Sequence, residues 1–433
     1  MKRVILAATF LFFASMTTFA QGGWTISHIP QVPGPRIDDI FMVDNQTGYA
    51  VTASGKILKS TDGGDNWFLL RTDNVYHRSV EFINTQKGFV GSFSSVPSNN
   101  ILMETTDGGA SWTDLTQLID PHARQGICGL AIPDSNTIYG CGNYHQDTAY
   151  IVKSTDGGTS WSFIDMHLYA THLIDMYFLN KDTGFATGSG IPPLRTAVVL
   201  YTTDGGQTWT YKFQNTVATE WCWKIQHLTD QLYFASIEEG SGDTTSRIIK
   251  STDGGMNWNV LIVPYHYSGN GIQGVGFIDS LRGWTGGGYN SGMETFDGGI
   301  TWDSTAICPL MNRVFRVNDS LLFASGSEIW KYSTTSTGIA QTAKEVSPGI
   351  SLTCYPNPAN KNLTVDVTLA RPTHVLLNLL DASGQRVRLI ETGDRSKGSF
   401  QYQLNTDNLI PGIYYLLLKT HDDQQTMKVI VKH

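Results

Sequence analysis

The sequence predicts an all-β chain, a seven-bladed β-propeller followed by a small Ig-like β-sandwich. Three observations carry that prediction. An octapeptide recurs six times at intervals of 45, 49, 48, 49 and 44 residues, close to the length of one four-stranded blade. A strand–turn–strand pattern precedes most of the copies. After residue 350 both patterns stop, and apolar and polar residues alternate at the strand period instead. Composition agrees: 44 Gly, 11% aromatic and only 16% charged residues suit short strands and tight turns.

The octapeptide reads Ser60-Thr61-Asp62-Gly63-Gly64-Asp65-Asn66-Trp67 in its first copy. Its aspartates are Asp62, Asp107, Asp156, Asp204, Asp253 and Asp297, and its tryptophans are Trp67, Trp112, Trp161, Trp209, Trp258 and Trp302. The carboxylate is expected to accept backbone N–H groups of the turn that follows it, while the paired glycines take positive φ. The Trp then packs between adjacent sheets. These acids are read as turn residues rather than calcium ligands, and no metal or other cofactor is expected.

The preceding element is Phe41-Met42-Val43-Asp44-Asn45-Gln46-Thr47-Gly48-Tyr49, repeated from Phe82, Phe178 and Phe277, with weaker copies around Asp134 and Asp230. Together with the strands flanking each octapeptide it gives four strands per unit. Arg313–Val317 and Ser327–Tyr332 repeat the first three strands of a seventh unit without its fourth. Trp24–Ile29 resembles the missing strand. Pairing it into the last blade closes the ring and leaves no open sheet edge.

These repeats resemble the Asp-box, or bacterial neuraminidase repeat, family over residues 24 to 332. The fuller unit is most similar to propellers related to photosystem II assembly factors. The resemblance implies the fold strongly and the activity weakly, because Asp boxes also occur in sialidases, xyloglucan-active enzymes and sorting receptors. A sialidase needs three arginines on the substrate carboxylate; Arg36, Arg78, Arg124 and Arg313 are the candidates, without a matching Tyr–Glu pair. Another glycosidase needs two carboxylates at a set separation, and by position Asp38, Asp39, Asp175 and Glu220 qualify. Gly-x-Ser-x-Gly, His-Glu-x-x-His and phosphate-cradling loops do not occur.

The segments between one blade and the next are rich in His, Arg and aromatic residues. They contribute His77, Arg78, His122, Arg124, His172, Trp221, Trp223, Tyr265, His266 and Tyr267, with Arg313 at the start of the seventh blade. These connections meet on one face of a propeller. Such a rim suits sugar rings or a peptide, and inter-blade packing is the competing reading. Cys128 and Cys141 flank a turn at Asp134-Ser135, where a tight hairpin would bring them opposite each other as a cross-strand disulfide; two buried thiols are the alternative.

Both ends read as export signals. Lys2 and Arg3 precede an apolar run from Val4 to Met16 and the small-residue site Thr18-Phe19-Ala20, the pattern of a signal peptide over 1–20. That run is too short to span a bilayer, which needs about 20 apolar residues. The net charge is −8, becoming −10 once Lys2 and Arg3 are removed, and it argues against a nucleic-acid partner. The propeller spans 21–332 and a polar linker 333–350. In 351–433, Tyr355-Pro356-Asn357-Pro358, a hairpin with Gly384, Pro411-Gly412-Ile413-Tyr414 and a closing strand with Lys428 occur in order. They closely resemble the C-terminal sorting domain of the type IX secretion system of Bacteroidetes. The resemblance implies recognition by that machinery at the outer membrane, and a secreted or surface-attached product. The reading is therefore a non-catalytic propeller binding a glycan or protein partner. A secreted glycan-active hydrolase is the rival, and a scaffold for surface assembly the third alternative.

Overall fold

The computed structural model describes residues 23–29, 36–94, 99–143, 148–239, 245–264, 271–288, 292–334, 350–381, 386–420 and 424–432. The chain divides into two units, at residues 337 and 338.

The first unit is a ring of seven four-stranded antiparallel sheets. In blade 1 the strands are Ile37–Met42, Gly48–Thr52, Lys56–Ser60 and Phe68–Thr72, from the axis outward. The inner strands of blades 2 to 7 are Tyr76–Phe82, Gly129–Ala131, His172–Phe178, Trp221–His227, Ile272–Phe277 and Arg313–Asn318. Gly23–Ile26 supplies the outer strand of blade 7, with Gly23 opposite Ser333 and Ile26 opposite Trp330. Trp24 meets Trp284 edge-on at 5.1 Å and lies 5.3 Å from Tyr332, so the closing strand is held by ring packing as well as by its ladder. Blade 7 then seals against blade 1, through Ile37 N–H to the Gly326 carbonyl (2.7 Å) and the Phe41–Phe315 contact.

Each Asp box is a closed local network. Asp62 accepts the Asn66 backbone N–H at 2.9 Å and the Ser60 hydroxyl at 2.9 Å, and Ser60 Oγ accepts Gly64 N–H. Gly63 and Gly64 take φ of 74° and 83°. A Cβ on Gly64 would lie 2.4 Å from the Phe323 ring of blade 7, so packing and backbone both require glycine. Trp67 Nε1 donates back to the Gly64 carbonyl at 3.1 Å, and the same bond forms at Trp161, Trp209, Trp258 and Trp302.

The repeated Phe of the strand–turn–strand element couples neighbouring blades. Phe82 stacks on Tyr49 at 3.6 Å, Phe178 on Tyr139 at 3.9 Å, and Phe277 on Phe234 at 3.6 Å. Trp112, Trp209 and Trp302 meet those same phenylalanines edge-on. A lysine forms a second inter-blade tie: Lys59, Lys153 and Lys250 donate to the box carbonyls of Gly108, Gly205 and Gly298 at 2.8, 2.8 and 3.0 Å.

The proposed Cys128–Cys141 disulfide does not form. The register places Gly129 opposite Cys141, so Cys128 falls one residue out of line and points to the other face of the strand. Both are buried free thiols, and burial raises the pKa of each.

The second unit has a three-stranded sheet, Ile350–Tyr355, Asn362–Leu369 and Gly398–Asn405, and a four-stranded sheet of Thr373–Asp381, Arg386–Arg395, Gly412–Lys419 and Gln424–Val431. Leu352, Val365 and Leu404 of the first share one core with Leu377, Leu416 and Val429 of the second, which makes a two-sheet sandwich. Asn357 ties the Tyr-Pro-Asn-Pro start to the last strand, donating to the Lys428 carbonyl at 2.7 Å and accepting Ile430 N–H at 2.8 Å. Tyr414 is buried, with its hydroxyl on the Ile410 carbonyl at 2.8 Å, while Pro411-Gly412 opens its strand. Tyr355 is half exposed, its hydroxyl accepting from Gln401. Gly384 lies outside the described residues.

Candidate functional site

The Asp-box turns follow the third strand of blades 1 to 6. The connections between blades, and the loops between second and third strands, therefore lie at the opposite end of the ring. Hydrogen bonds join the two sets: Asp73 N–H to Gly55, Ser94 N–H to Gln125, Val263 N–H to Ser246 and Ser327 N–H to Pro309. At this end the inner strands carry irregular registers at Ile37/Asp39, His77/Ser79, Leu173/Asp175, Cys222/Ile225 and Ile272/Gly274. At four of these the residues left out of the ladder, namely Asp38, Arg78, Trp223 with Lys224, and Gln273, make the contacts described next.

The resulting layer is built on Asp38. Its Oδ1 accepts Arg36 Nη2 at 2.6 Å, Arg78 Nη1 at 2.8 Å and the Tyr76 hydroxyl at 2.8 Å. Asn312 of blade 7 donates to the Asp38 carbonyl at 2.6 Å and accepts Trp223 Nε1 at 2.7 Å. Arg36 also reaches Gln273 of blade 6 at 2.7 Å, and Gln273 donates to Glu238 at 2.7 Å. The Arg78 guanidinium lies 5.5 Å from the Tyr76 ring and 5.2 Å from the Trp223 ring. Trp221 lies 6.3 Å from Trp223, and His172 4.5 Å from Trp221. One π-rich line thus crosses the mouth from blade 2 through blade 5 to blade 4. Burial, eased by the Gln273 amide and the two arginines, raises the Glu238 carboxyl to about 7.

A second layer closes the axis below it. Arg313 of blade 7 reaches across to Asp175 of blade 4 at 2.7 Å and to Asp39 of blade 1 at 3.5 Å. Lys224 lies 3.7 Å from Asp175. Asp39 and Asp175 also accept the backbone N–H groups of Val80 and Ile225, each at 3.1 Å. Glu81 sits beside this cluster; burial raises it to about 8, against the pull of Arg313. Side chains from opposite blades meet here, so among the described residues an ion pair bridges the axis.

The sequence-selected residues fall into separate places. Arg78, His172, Trp221 and Trp223 join the mouth line. Arg313 belongs to the plug beneath it. His77 is fully buried between Ser92 (2.7 Å) and Asp73 (3.3 Å) and presents nothing to a ligand. Arg124 folds back on Gln117 and the Ile119 carbonyl. His122 is exposed, but on the periphery. Tyr265, His266 and Tyr267 lie outside the described residues. Of the candidate acids, Glu220 pairs with Arg247 and Asn215 away from the axis. The arginines that a sialidase would aim at its substrate are occupied: Arg36 and Arg78 by Asp38, Arg313 by Asp39 and Asp175. Sequence reasoning missed Gln273, Glu238 and Asn312. Only the place of Asn312 beside Arg313, and of Glu238 at a strand end, could have signalled them. No group of three or more His, Cys, Asp or Glu is arranged to hold a metal among the described residues.

Comparison with known proteins bears on both units. Residues 353–432 match the secretion system C-terminal sorting domain. The C-terminal unit is a type IX sorting domain. Its cargo is exported to the cell surface or exterior, and no helix among the described residues is long and apolar enough to cross a membrane. Residues 200–211 match the BNR/Asp-box repeat. The propeller is similar to the structure described as YCF48 bound to D1 peptide (TM-score 0.53, 19% identity, 72% of this chain and 97% of that one). It is equally similar to YCF48 from Cyanidioschyzon merolae (0.53, 18%, 72% and 98%). The GH74 xyloglucanase from Xanthomonas campestris also superposes (0.52, 12%, 80% and 59%). At these identities the likeness is one of fold. No curated protein matches the sequence closely enough to count as a relative.

Proposed function

We propose that the Asp-box propeller is a non-catalytic binding module of the cell surface or exterior, holding an extended glycan or protein segment across the mouth of its axis. The observation that carries this reading is the line Tyr76–Arg78–Trp223–Trp221–His172. Its part-exposed rings, Tyr76 and Trp221, rest on the buried Arg78, Trp223 and His172, whose packing and ion pairs form a rigid floor. Aromatic anchors on a rigid, desolvated base are what concentrates binding energy at an interface. The similar propeller described as bound to a peptide supports counting a peptide among the partners. The test is a glycan-array and peptide-library screen with a parallel hydrolysis assay. Binding without turnover, lost in Trp221→Ala, supports the module; binding unchanged in that variant overturns the placement.

A glycan-active hydrolase is the second reading, and one observation favours it. Glu238, raised to about 7 by burial, would keep a substantial protonated fraction near neutral pH, as a general acid needs. Turnover of any glycan that disappears in Glu238→Gln would establish it in place of the binding module.

A further inference from the structure

A second concavity opens on the same end of the ring, away from the axis, between blades 2 and 3. Its volume is about 230 Å³. That is below the several hundred Å³ that a drug-sized ligand occupies, and it suits a single small ring. Two of its walls are rings: His122 and Phe163 have centroids 6.0 Å apart at 48°, and Tyr150 stands behind Phe163 at 5.7 Å and 34°. Tyr150 spends its hydroxyl on the carbonyls of Ala123 and Gly126, so it offers the cavity only a ring.

His122 rides on the short 3-10 turn Pro121–Ala123. Asp120 Oδ1 accepts its backbone N–H at 2.8 Å and holds its Nδ1 at 2.7 Å. The imidazole is thus fixed in orientation with Nδ1–H donating, which leaves Nε2 as an acceptor in the neutral ring. Yet its side chain remains 79% exposed. An aromatic ring pinned in place and left in water gains little for folding and is preorganised for a ligand. Besides His122, the polar groups of the cavity are the Gln125 amide, the Thr148 hydroxyl, the Asp165 carboxylate and the Asn143 amide, which donates to the Thr171 carbonyl at 3.0 Å. Asp165 uses part of its acceptor capacity on His167, and a carboxylate has about four acceptor positions. No lysine or arginine lines the cavity among the described residues.

We propose that this concavity is a subsite for one uncharged pyranose ring of a glycan. The C–H face of the sugar lies against Phe163 and His122, and its vicinal hydroxyls pair with the Gln125 amide, Thr148 and Asp165. The Asp165 carboxylate, with a histidine but no lysine or arginine beside it among the described residues, selects against acidic sugars. The subsite rests on the binding reading only in sharing its face; none of its residues belongs to the axial line.

The test is saturation-transfer NMR on the full chain with methyl β-glucopyranoside, methyl β-galactopyranoside and methyl α-mannopyranoside at millimolar concentration, and sialic acid as the charged control. The expected result is transfer to the ring protons of at least one neutral sugar and none to sialic acid. That transfer should fall about tenfold in Gln125→Ala and in His122→Ala, and persist in Trp221→Ala. No transfer from any neutral sugar, or transfer indifferent to both substitutions, overturns the subsite. Transfer lost in Trp221→Ala alone assigns the sugar to the axial line, and overturns this proposal while leaving the binding module intact.

Discussion

Asp38→Ala is the substitution that most directly probes the mouth. Asp38 is fully buried, and its Oδ1 is the shared acceptor of Arg36, Arg78 and Tyr76. Truncation leaves the Arg78 guanidinium, only 4% exposed, without its counter-charge. Removing one partner of a buried pair costs about 3–5 kcal/mol. Arg36 is 18% exposed and partly rehydrates, so the lower end, about 3 kcal/mol, is the expected loss. Unfolding entropy near 2.1 cal/mol/K per residue, over about 310 residues, gives roughly 0.65 kcal/mol per degree, so the propeller transition should fall by about 5 °C. Scanning calorimetry reads that shift. Adding Arg78→Met removes the orphaned charge and should recover part of it. A shift of Asp38→Ala below about 1 °C, or a double variant as unstable as the sum of the two single ones, would refute the account of the mouth as one charge-paired unit.

Further outcomes follow from other parts of the ring. Lys153→Met removes one inter-blade hydrogen bond to the Gly205 carbonyl, and should lower stability by about 1 kcal/mol in urea unfolding, with the fold unchanged. The box aspartates Asp107, Asp156, Asp204 and Asp253 are lowered from 3.8 to about 2, chiefly by side-chain hydrogen bonds from Ser111, Ser160, Thr208 and Asn257. Groups depressed in the folded state stabilise it above their unfolded pKa, so an acid titration should show stability falling between pH 4 and 2. Glu81 has the opposite sign: raised from 4.5 to about 8 by burial, its contribution is full below pH 4.5 and lost as pH rises towards 8. Glu81→Gln should flatten that alkaline limb in the same titration. Deleting residues 23–26 removes the strand that pairs with Trp330–Ser333, and should yield an aggregation-prone, open-ended ring visible by light scattering.

The boxes, the blade count and the closing strand were legible in the sequence because each depends on residues close together or on a repeat. Asp62, Ser60, Gly64 and Trp67 all act within eight positions of the chain. The sorting domain was legible for the same reason, since its motifs mark its own strands. The mouth was legible only in part. Trp221 and Trp223 were noticed as aromatics, but Gln273 reaches Arg36 across 237 residues and Asn312 reaches Asp38 across 274. No local pattern encodes such pairs. His77 and Arg124 misled because their types suit ligands, whereas neighbours four to fifteen residues away, such as Asp73, Ser92 and Gln117, already engage their polar atoms. The Cys128–Cys141 pairing failed by a single residue of register.

The ion pairs across the axis also narrow how a ligand can be held. Arg313 spans from blade 7 to Asp175 of blade 4, and Arg78 lies under Trp223 of blade 5. A chain threading the ring would have to break both, and each break would expose a buried charge at a cost of several kcal/mol. A ligand lying across the mouth, against the part-exposed Trp221 and Tyr76, breaks neither. The same pairing occupies the arginines that a carboxylate-seeking sugar hydrolase would need free. On the proposed reading, recognition at this face comes from ring stacking and hydrogen bonding over a floor whose arginines are already paired. That combination favours an extended, largely uncharged ligand over one recognised by its charge.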